Sequence, residues 1–119
     1  LVTRLKQSRE GISQISAKAQ AGDWDAVRQA VSFTLPFLSV KGYTGESVKS
    51  RAVTLTDDVK NQVIAQRQAL LVALGTLDKA AYNVQTGKAK PLDVAETITS
   101  CADDALAAID GIIIRLSTE

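Results

Sequence analysis

The sequence predicts an all-α protein, an antiparallel up-down-up-down four-helix bundle that forms one domain over residues 1–119. Apolar residues recur at steps of three and four along four segments, as they do in amphipathic helices. Both prolines and most of the seven glycines fall at or near the breaks between these segments. Because 45% of the residues are hydrophobic, the four apolar stripes can cover one another in a single shared core.

The first predicted helix runs from about Val2 to Gln20. Its apolar positions are Val2, Leu5, Ile12, Ile15 and Ala19. Gly11 is a soft point, since glycine inside a helix costs about 1 kcal/mol relative to alanine. Gly22 suits a left-handed C-terminal cap and Asp23 suits an N-cap, so one helix should end and the next begin there.

The second predicted helix starts at Trp24 and stops or kinks at Pro36, which cannot donate the backbone hydrogen bond that a helix interior needs. Phe37, Leu38 and Val40 are apolar and predict a further turn of helix that covers one end of the core. Trp24 is interpreted as a core residue that anchors the start of the helix against its neighbours.

After a loop at residues 42–45, the third predicted helix spans about Ser47 to Asn83. The run of residues 53–56 contains β-branched side chains and offers a break, with Thr56 capping a second helix. One bent helix is favoured over two. Seam positions recur along most of this segment, with a gap at residues 66–67.

The final predicted helix begins at Pro91, a residue that fits the first turn of a helix, and runs to about Leu116. The loop before it covers residues 86–90. The apolar residues on the core-facing side of this final helix are Ala95, Ile98, Ala102, Ala105, Ile109, Ile112 and Leu116. Frequent alanine at this seam allows neighbouring helices to approach closely.

The composition removes several kinds of catalytic and metal-binding chemistry. The chain has no histidine and no methionine, so it lacks the commonest general base, the commonest metal ligand and the usual haem ligands. The single cysteine, Cys101, has no histidine to activate it and is interpreted as a small buried hydrophobe. We therefore predict no catalytic residue, no cofactor and no metal site, and a protein that is not an enzyme.

Two pairs of adjacent acids keep a carboxylate-based enzyme or metal site open as a less favoured alternative. These pairs are Asp57–Asp58 and Asp103–Asp104. Adjacent positions on a helix diverge by about 100°, so the two carboxylates of a pair do not face one ligand. The first pair is interpreted as a match to the positive end of a helix, and the second as part of a solvated face.

Basic residues concentrate in the first half of the chain. Residues 1–51 hold eight Lys/Arg and four Asp/Glu, whereas residues 52–119 hold six and nine. This asymmetry is too weak for nucleic-acid binding, and no aromatic residues alternate with the basic ones. No apolar run reaches the roughly 18–20 residues of a membrane span, and Leu1 in place of methionine leads us to expect a processed or trimmed chain.

Eight basic residues are candidates for contact with an acidic partner. They are Lys88, Lys90, Arg4, Lys6, Arg9, Lys41, Lys49 and Arg51. The other interpretation of these residues is ordinary solubilising charge on a helical surface.

Two short motifs carry a family resemblance. The first is Ala21–Gly22–Asp23–Trp24 followed by Asp-Ala-Val-Arg, and the second is Leu77–Asp78–Lys79–Ala80–Ala81 followed by a basic loop and the last helix. Both stretches resemble the PsbQ family of extrinsic photosystem II proteins, and the order and spacing of the four helices are similar too. The proline-rich N-terminal arm of plant members has no counterpart here, so the chain is more similar to algal relatives such as the small extrinsic subunit of diatoms.

The resemblance implies a protein of the chloroplast thylakoid lumen that binds peripherally to the lumenal face of photosystem II. Its partners would be the photosystem II core and other extrinsic subunits, with no nucleic acid, and it would be a monomer when free. It would dock through basic residues and help to retain calcium and chloride at the manganese cluster without binding these ions itself.

Other functions remain open beside the one that the resemblance implies. The main alternative is a non-catalytic helical-bundle adaptor that binds a partner protein along an exposed seam. A small helical inhibitor and a carboxylate enzyme are further alternatives. An adaptor predicts an exposed apolar groove, whereas an enzyme predicts a pocket in which polar groups converge.

Overall fold

The computed structural model describes residues 1–39 and 41–118. Over these residues the chain forms six α-helices and one 3-10 helix, and no strand. The helices are α1 (Val2–Ser13), α2 (Ile15–Gln20), α3 (Trp24–Thr34), the 3-10 helix (Leu35–Leu38), α4 (Val48–Ala52), α5 (Asp57–Gln85) and α6 (Pro91–Thr118). The all-α class is confirmed, but the number of helices differs from the four predicted.

The first predicted helix is divided at Gln14 into α1 and α2. The backbone of Gln14 stays right-handed, with φ −96° and ψ −5°, and both α1 and α2 contact α3 and α6. Gly11, the predicted soft point, remains helical. A Cβ atom at Gly11 would lie 3.7 Å from Cβ of Ala30, so this glycine lies where α1 comes close to α3.

Gly22 and Asp23, which were predicted to end one helix and start the next, lie between α2 and α3. Gly22 has φ +78°, a left-handed conformation that side chains with a Cβ rarely adopt. The carboxylate of Asp23 accepts a hydrogen bond from the backbone N–H of Ala26 at 3.1 Å, which satisfies a free donor of the α3 N-terminus. Trp24 is buried in the core, as predicted.

The chain after α3 turns sharply and is held by an arginine. Pro36 lies in the 3-10 helix that follows α3, and Leu38 at its end is fully buried. Nε of Arg67 donates a hydrogen bond to the carbonyl oxygen of Leu38 at 2.6 Å, and a second guanidinium nitrogen lies 3.5 Å from the carbonyl oxygen of Ser39. The turn predicted over this stretch is confirmed up to Leu38, whereas Val40 lies outside the described residues.

The prediction of one bent third helix is wrong. Two helices, α4 and α5, are separated by residues 53–56. A reciprocal pair of hydrogen bonds between Ser47 and Ser50 caps α4 at its start. This short helix therefore has its own N-terminal cap and begins independently of α5. Thr56 occupies the N-cap position of α5, as the two-helix alternative has it, but its side chain makes no capping hydrogen bond.

The longer helices pack side by side in antiparallel pairs. Nε of Arg115 in α6 donates to Oε1 of Gln62 in α5 at 2.7 Å, and the two helices also run together to the loop that joins them. Arg28 of α3 pairs with Asp78 of α5 at 3.0 Å. Helices α1 and α2 fill the remaining side, where they contact both α3 and α6.

One core runs through this assembly. Most predicted seam residues are buried, including Leu70, Leu74 and Leu77 of α5 and Ile109 of α6. Ala95 is an exception, because it is exposed near the start of α6 and not part of the buried seam. The molecule measures 45 × 26 × 20 Å, and its long dimension matches the roughly 43 Å that a helix as long as α5 spans.

None of the helices in the described part of the chain has both the length and the apolar character that crossing a membrane requires.

Candidate docking surface

Antiparallel packing places different helix ends and loops at the two ends of the molecule. The α4 end consists of the first two turns of α1, the first turn of α5, the last turn of α6, the 3-10 helix, residues 41–47 and α4, which contacts both the 3-10 helix and α5. The loop end consists of the turn at residues 21–23, the loop at residues 86–90 and the adjoining helix turns. Gln85 donates a hydrogen bond to Asp25 at 2.6 Å, which places the start of α3 beside the end of α5.

Five of the eight cations predicted to contact a partner lie toward the α4 end. They are Arg4, Lys6, Lys41, Lys49 and Arg51. Lys60 in the first turn of α5 lies at the same end and was not among the predicted candidates. No other described residue forms a salt bridge with any of these six cations.

Acidic residues are fewer at the α4 end. The described ones are Glu46, Asp57 and Asp58, all exposed. Asp57 and Asp58 lie in the first turn of α5, where the positive end of the helix offsets part of their charge, as predicted for this pair. Among the described residues, these six cations, Arg115 in the last turn of α6 and three acids therefore lie at this end, which has an excess of positive charge.

Lys88 and Lys90 lie at the loop end, on the opposite side of the molecule from the other candidates. Nζ of Lys88 lies 5.5 Å from the ring centroid of Tyr82, over which Arg28 also stacks. The backbone N–H of Lys90 donates a hydrogen bond to the carboxylate of Asp93 at 3.0 Å. The eight predicted cations consequently do not form one continuous patch.

Positive and negative charges balance at the loop end. Its cations are Lys18, Arg28, Lys79, Lys88 and Lys90, and its acids are Asp23, Asp25, Asp78, Asp93 and Glu96. Four of these acids also accept hydrogen bonds. Asp23 and Asp93 accept from backbone N–H groups at the starts of helices. Asp78 accepts from Arg28, and Asp25 accepts from Gln85.

Arg9 lies between the two ends and already has a partner. Its Nε donates to the carboxylate of Asp110 at 2.8 Å, and a second guanidinium nitrogen lies 3.8 Å from Glu10. The hydrogen bond and the negative charge of Asp110 raise the pKa of Arg9. This side chain joins α1 to α6, so it is less available to a partner than the cations of the α4 end.

An apolar groove of about 370 Å³ opens at the loop end between α2, α3 and α6. Trp24 and Ile98 form part of its wall, and no ionisable side chain lines it. Leu92 at its edge is 86% exposed. This groove has the apolar character that the adaptor alternative predicts.

Cys101 and Asp104 are the ionisable groups of a second, larger groove between α5 and α6, with a volume of about 560 Å³. Burial, and secondly the charge of Asp104, raise the pKa of the Cys101 thiol. The thiol therefore stays protonated at neutral pH and is a poor nucleophile. Cys101 is half-buried against the core, so its predicted burial is only partial.

The acidic pair Asp103–Asp104 is exposed, as predicted for a solvated face. Among the described residues, no group of three or more cysteine, aspartate and glutamate side chains is placed to hold a metal ion.

Comparison of the chain with protein-family models, with curated proteins and with solved structures found no match. The fold and the charge distribution define a class, a small all-helical protein with one basic end.

Proposed function

We propose that this chain is a PsbQ-like extrinsic subunit of photosystem II, bound peripherally on the lumenal face of the thylakoid membrane of a chloroplast. Its role is to help retain calcium and chloride at the manganese cluster. The observation that carries the proposal is the set of exposed or half-buried cations at the α4 end that have no salt-bridge partner among the described residues. The two sequence motifs and the helix order select photosystem II as the partner.

In this proposal four helical segments act as an up-down-up-down four-helix bundle. The segments are α1 with α2, then α3, α5 and α6, and α4 is an insertion between the second and the third. The antiparallel contacts between α3 and α5 and between α5 and α6 support this arrangement. A rigid bundle of this kind supplies a preformed surface, which lowers the entropy lost on docking.

The physical basis of docking is electrostatic attraction to acidic surfaces of the photosystem II core and of other extrinsic subunits. Unpaired exposed cations speed association and make it sensitive to salt. The chain itself supplies no ion-binding group in this scheme. It retains calcium and chloride by covering the paths along which they leave, and it is a monomer when free.

Reconstitution onto photosystem II membranes that have been stripped with about 1 M salt, where the Debye length falls to roughly 3 Å, tests this proposal. The recombinant chain should rebind at low salt and restore oxygen evolution when calcium and chloride are limiting. Bovine serum albumin at equal concentration is the control for non-specific protection. Failure of the chain to rebind, or rebinding without any gain in oxygen evolution, would refute the proposed role.

A second candidate is a non-catalytic helical adaptor, favoured by the apolar groove and the exposed Leu92. An adaptor that uses this groove should form complexes that persist at high salt, because burial of apolar surface is not screened. Replacement Leu92→Ser should then abolish those complexes in a native extract. An adaptor of this kind would leave the oxygen evolution of stripped photosystem II unchanged.

A further inference from the structure

We infer that the chain docks end-on, through the α4 end, onto an acidic patch of a partner protein, and that Lys88 and Lys90 lie outside the contact. This inference rests on the proposed function for the identity of the partner. It adds the surface of this chain that is used and the orientation of the molecule on its partner.

The distribution of charge along the long axis is the first argument. The α4 end carries six cations without salt-bridge partners among the described residues, against three acids, whereas the loop end carries equal numbers of each. The molecule is 45 Å long, several times the Debye length of about 8 Å at physiological salt. A partner approaching one end therefore senses the charge of that end and not the net charge of the whole chain.

The structure of α4 is the second argument. Val48 and Ala52 point into the core, whereas Lys49 and Val53 are exposed and lie one helical turn apart on the same side. Val53 is 70% exposed. An apolar side chain beside cations resembles the arrangement of protein interfaces, in which an apolar centre is surrounded by a polar rim.

The third argument is that hydrogen bonds fix the position of α4 and of the 3-10 helix before binding. The hydrogen bonds between Ser47 and Ser50 fix the start of α4. Arg67 of α5 fixes the end of the 3-10 helix on which α4 packs. A surface held in this way loses little conformational entropy on docking.

The acids at the α4 end identify the partner as a protein and not a membrane. Glu46, Asp57 and Asp58 are interspersed among the cations, and a uniformly anionic lipid surface would repel them. An acidic protein surface can place its carboxylates opposite the cations alone, so that the pattern of charges is matched.

Two double variants with the same change in net charge test the inference. Lys49→Glu with Arg51→Glu alters the α4 end, and Lys88→Glu with Lys90→Glu is the matched control at the loop end. None of the four side chains is buried, so both variants should fold, which circular dichroism checks. On salt-stripped photosystem II membranes we expect the first variant to bind roughly tenfold or more weakly and the control to bind within about twofold of the wild type.

The variant Val53→Ser separates the apolar contact from the charge. It should weaken binding by roughly threefold to tenfold, since exposure of one buried aliphatic side chain changes affinity by about 1 kcal/mol. Its binding should keep the salt dependence of the wild type, whereas the charge variant of the α4 end should show a shallower one. Unchanged binding of Val53→Ser would remove this residue from the proposed contact.

The outcomes distinguish this inference from the proposed function. If the wild type rebinds and only the loop-end variant loses binding, the inference is wrong while the proposed function stands. If the wild type does not rebind, the proposed function fails, and elution from a cation-exchange resin then tests the α4 end alone. The α4-end variant should elute at lower salt than the loop-end variant, and the reverse order would contradict the inference.

A membrane partner is the remaining outcome. Sedimentation with phosphatidylglycerol vesicles should leave the chain in the supernatant at physiological salt. Binding to these vesicles that is as tight as binding to photosystem II membranes, and equally sensitive to the α4-end variant, would overturn the assignment to a protein surface.

Discussion

Two glycines show how the same residue acts in opposite ways at different positions. Gly22 has φ +78°, so the turn between α2 and α3 depends on it. Gly75 lies in the exposed middle of α5, and a Cβ atom there would have no neighbour within 4 Å. At Gly75 the conformational freedom of glycine only favours the unfolded chain.

Replacement Gly75→Ala should therefore raise the free energy of unfolding by about 0.5–1 kcal/mol, because alanine gives up less backbone freedom when the helix forms. Gly22→Ala is the matched comparison, and it should lower the free energy of unfolding by about 1 kcal/mol because alanine is strained in the left-handed region. Urea unfolding followed by circular dichroism measures both. Equal effects of the two substitutions would show that backbone conformation does not govern these positions.

Cys101 provides a prediction about pH. Burial and the charge of Asp104 raise the pKa of its thiol, so the reactive thiolate should form only at higher pH than in a free cysteine. The rate of alkylation by iodoacetamide, measured against pH, should reach its midpoint above that of a cysteine in an unfolded peptide. Asp104→Asn should move the midpoint part of the way down, since burial, the larger cause, remains. A midpoint equal to that of the unfolded peptide would contradict this account.

At the scale of elements, the features that depend on adjacent residues were predictable. Gly22, Asp23, Pro36 and Pro91 each act within one turn of their own position, and each lies where the sequence predicts a helix end or start. The division between α4 and α5 was only an alternative, because hydrophobic periodicity continues across residues 53–56. Periodicity alone does not show that Ser47 caps a separate helix of five residues, α4, before α5 begins.

Arg67 could not be assigned from the sequence, where it only interrupts the apolar pattern. Its partner carbonyl oxygens lie 28 and 29 residues earlier, so only the packing of α3 against α5 brings them together. A charged donor to a half-buried carbonyl oxygen is a strong hydrogen bond. This contact links α5 to the 3-10 helix, and α4 packs against both of these elements.

Replacement Arg67→Ala should lower the free energy of unfolding by about 1–2 kcal/mol, since a hydrogen bond that involves a charged group contributes that order of stability. Arg51→Ala is the control, because the side chain of Arg51 has no hydrogen-bond partner among the described residues, and it should change stability by less than about 0.5 kcal/mol. Faster amide exchange in residues 41–47 of the Arg67 variant would locate the effect. Equal destabilisation by both substitutions would exclude a special role for Arg67.

At the scale of the whole molecule, the chemical character of the candidate surface was predictable but its location was not. The sequence identifies Lys49 and Lys88 as equivalent candidates, since both lie in basic, polar stretches. Antiparallel packing places them at opposite ends of a molecule 45 Å long. The topology therefore decides which cations lie at the same end. Long-range contacts decide which cations already have a partner: Arg9, for example, pairs with Asp110, 101 residues later in the chain.

The shared core leads to a prediction about cooperativity. Leu74 of α5 is fully buried, whereas Val72 on the same helix is 60% exposed. Leu74→Ala should lower the free energy of unfolding by about 2–5 kcal/mol, because it removes buried methyl groups and leaves a cavity. Val72→Ala should change the free energy of unfolding by less than about 1 kcal/mol, since its side chain already contacts water and leaves no cavity.

Both variants should unfold in a single transition, because α5 contacts α3, α4 and α6 and so shares one core with most of the chain. Fluorescence of Trp24, which reports on the α2–α3 turn, and circular dichroism, which reports on all helices, should give the same midpoint in urea. If Leu74→Ala lowers the midpoint by circular dichroism but leaves that of Trp24 unchanged, residues 1–39 hold together without α5. The prediction of one domain would then be wrong, and the two ends would be free to move independently.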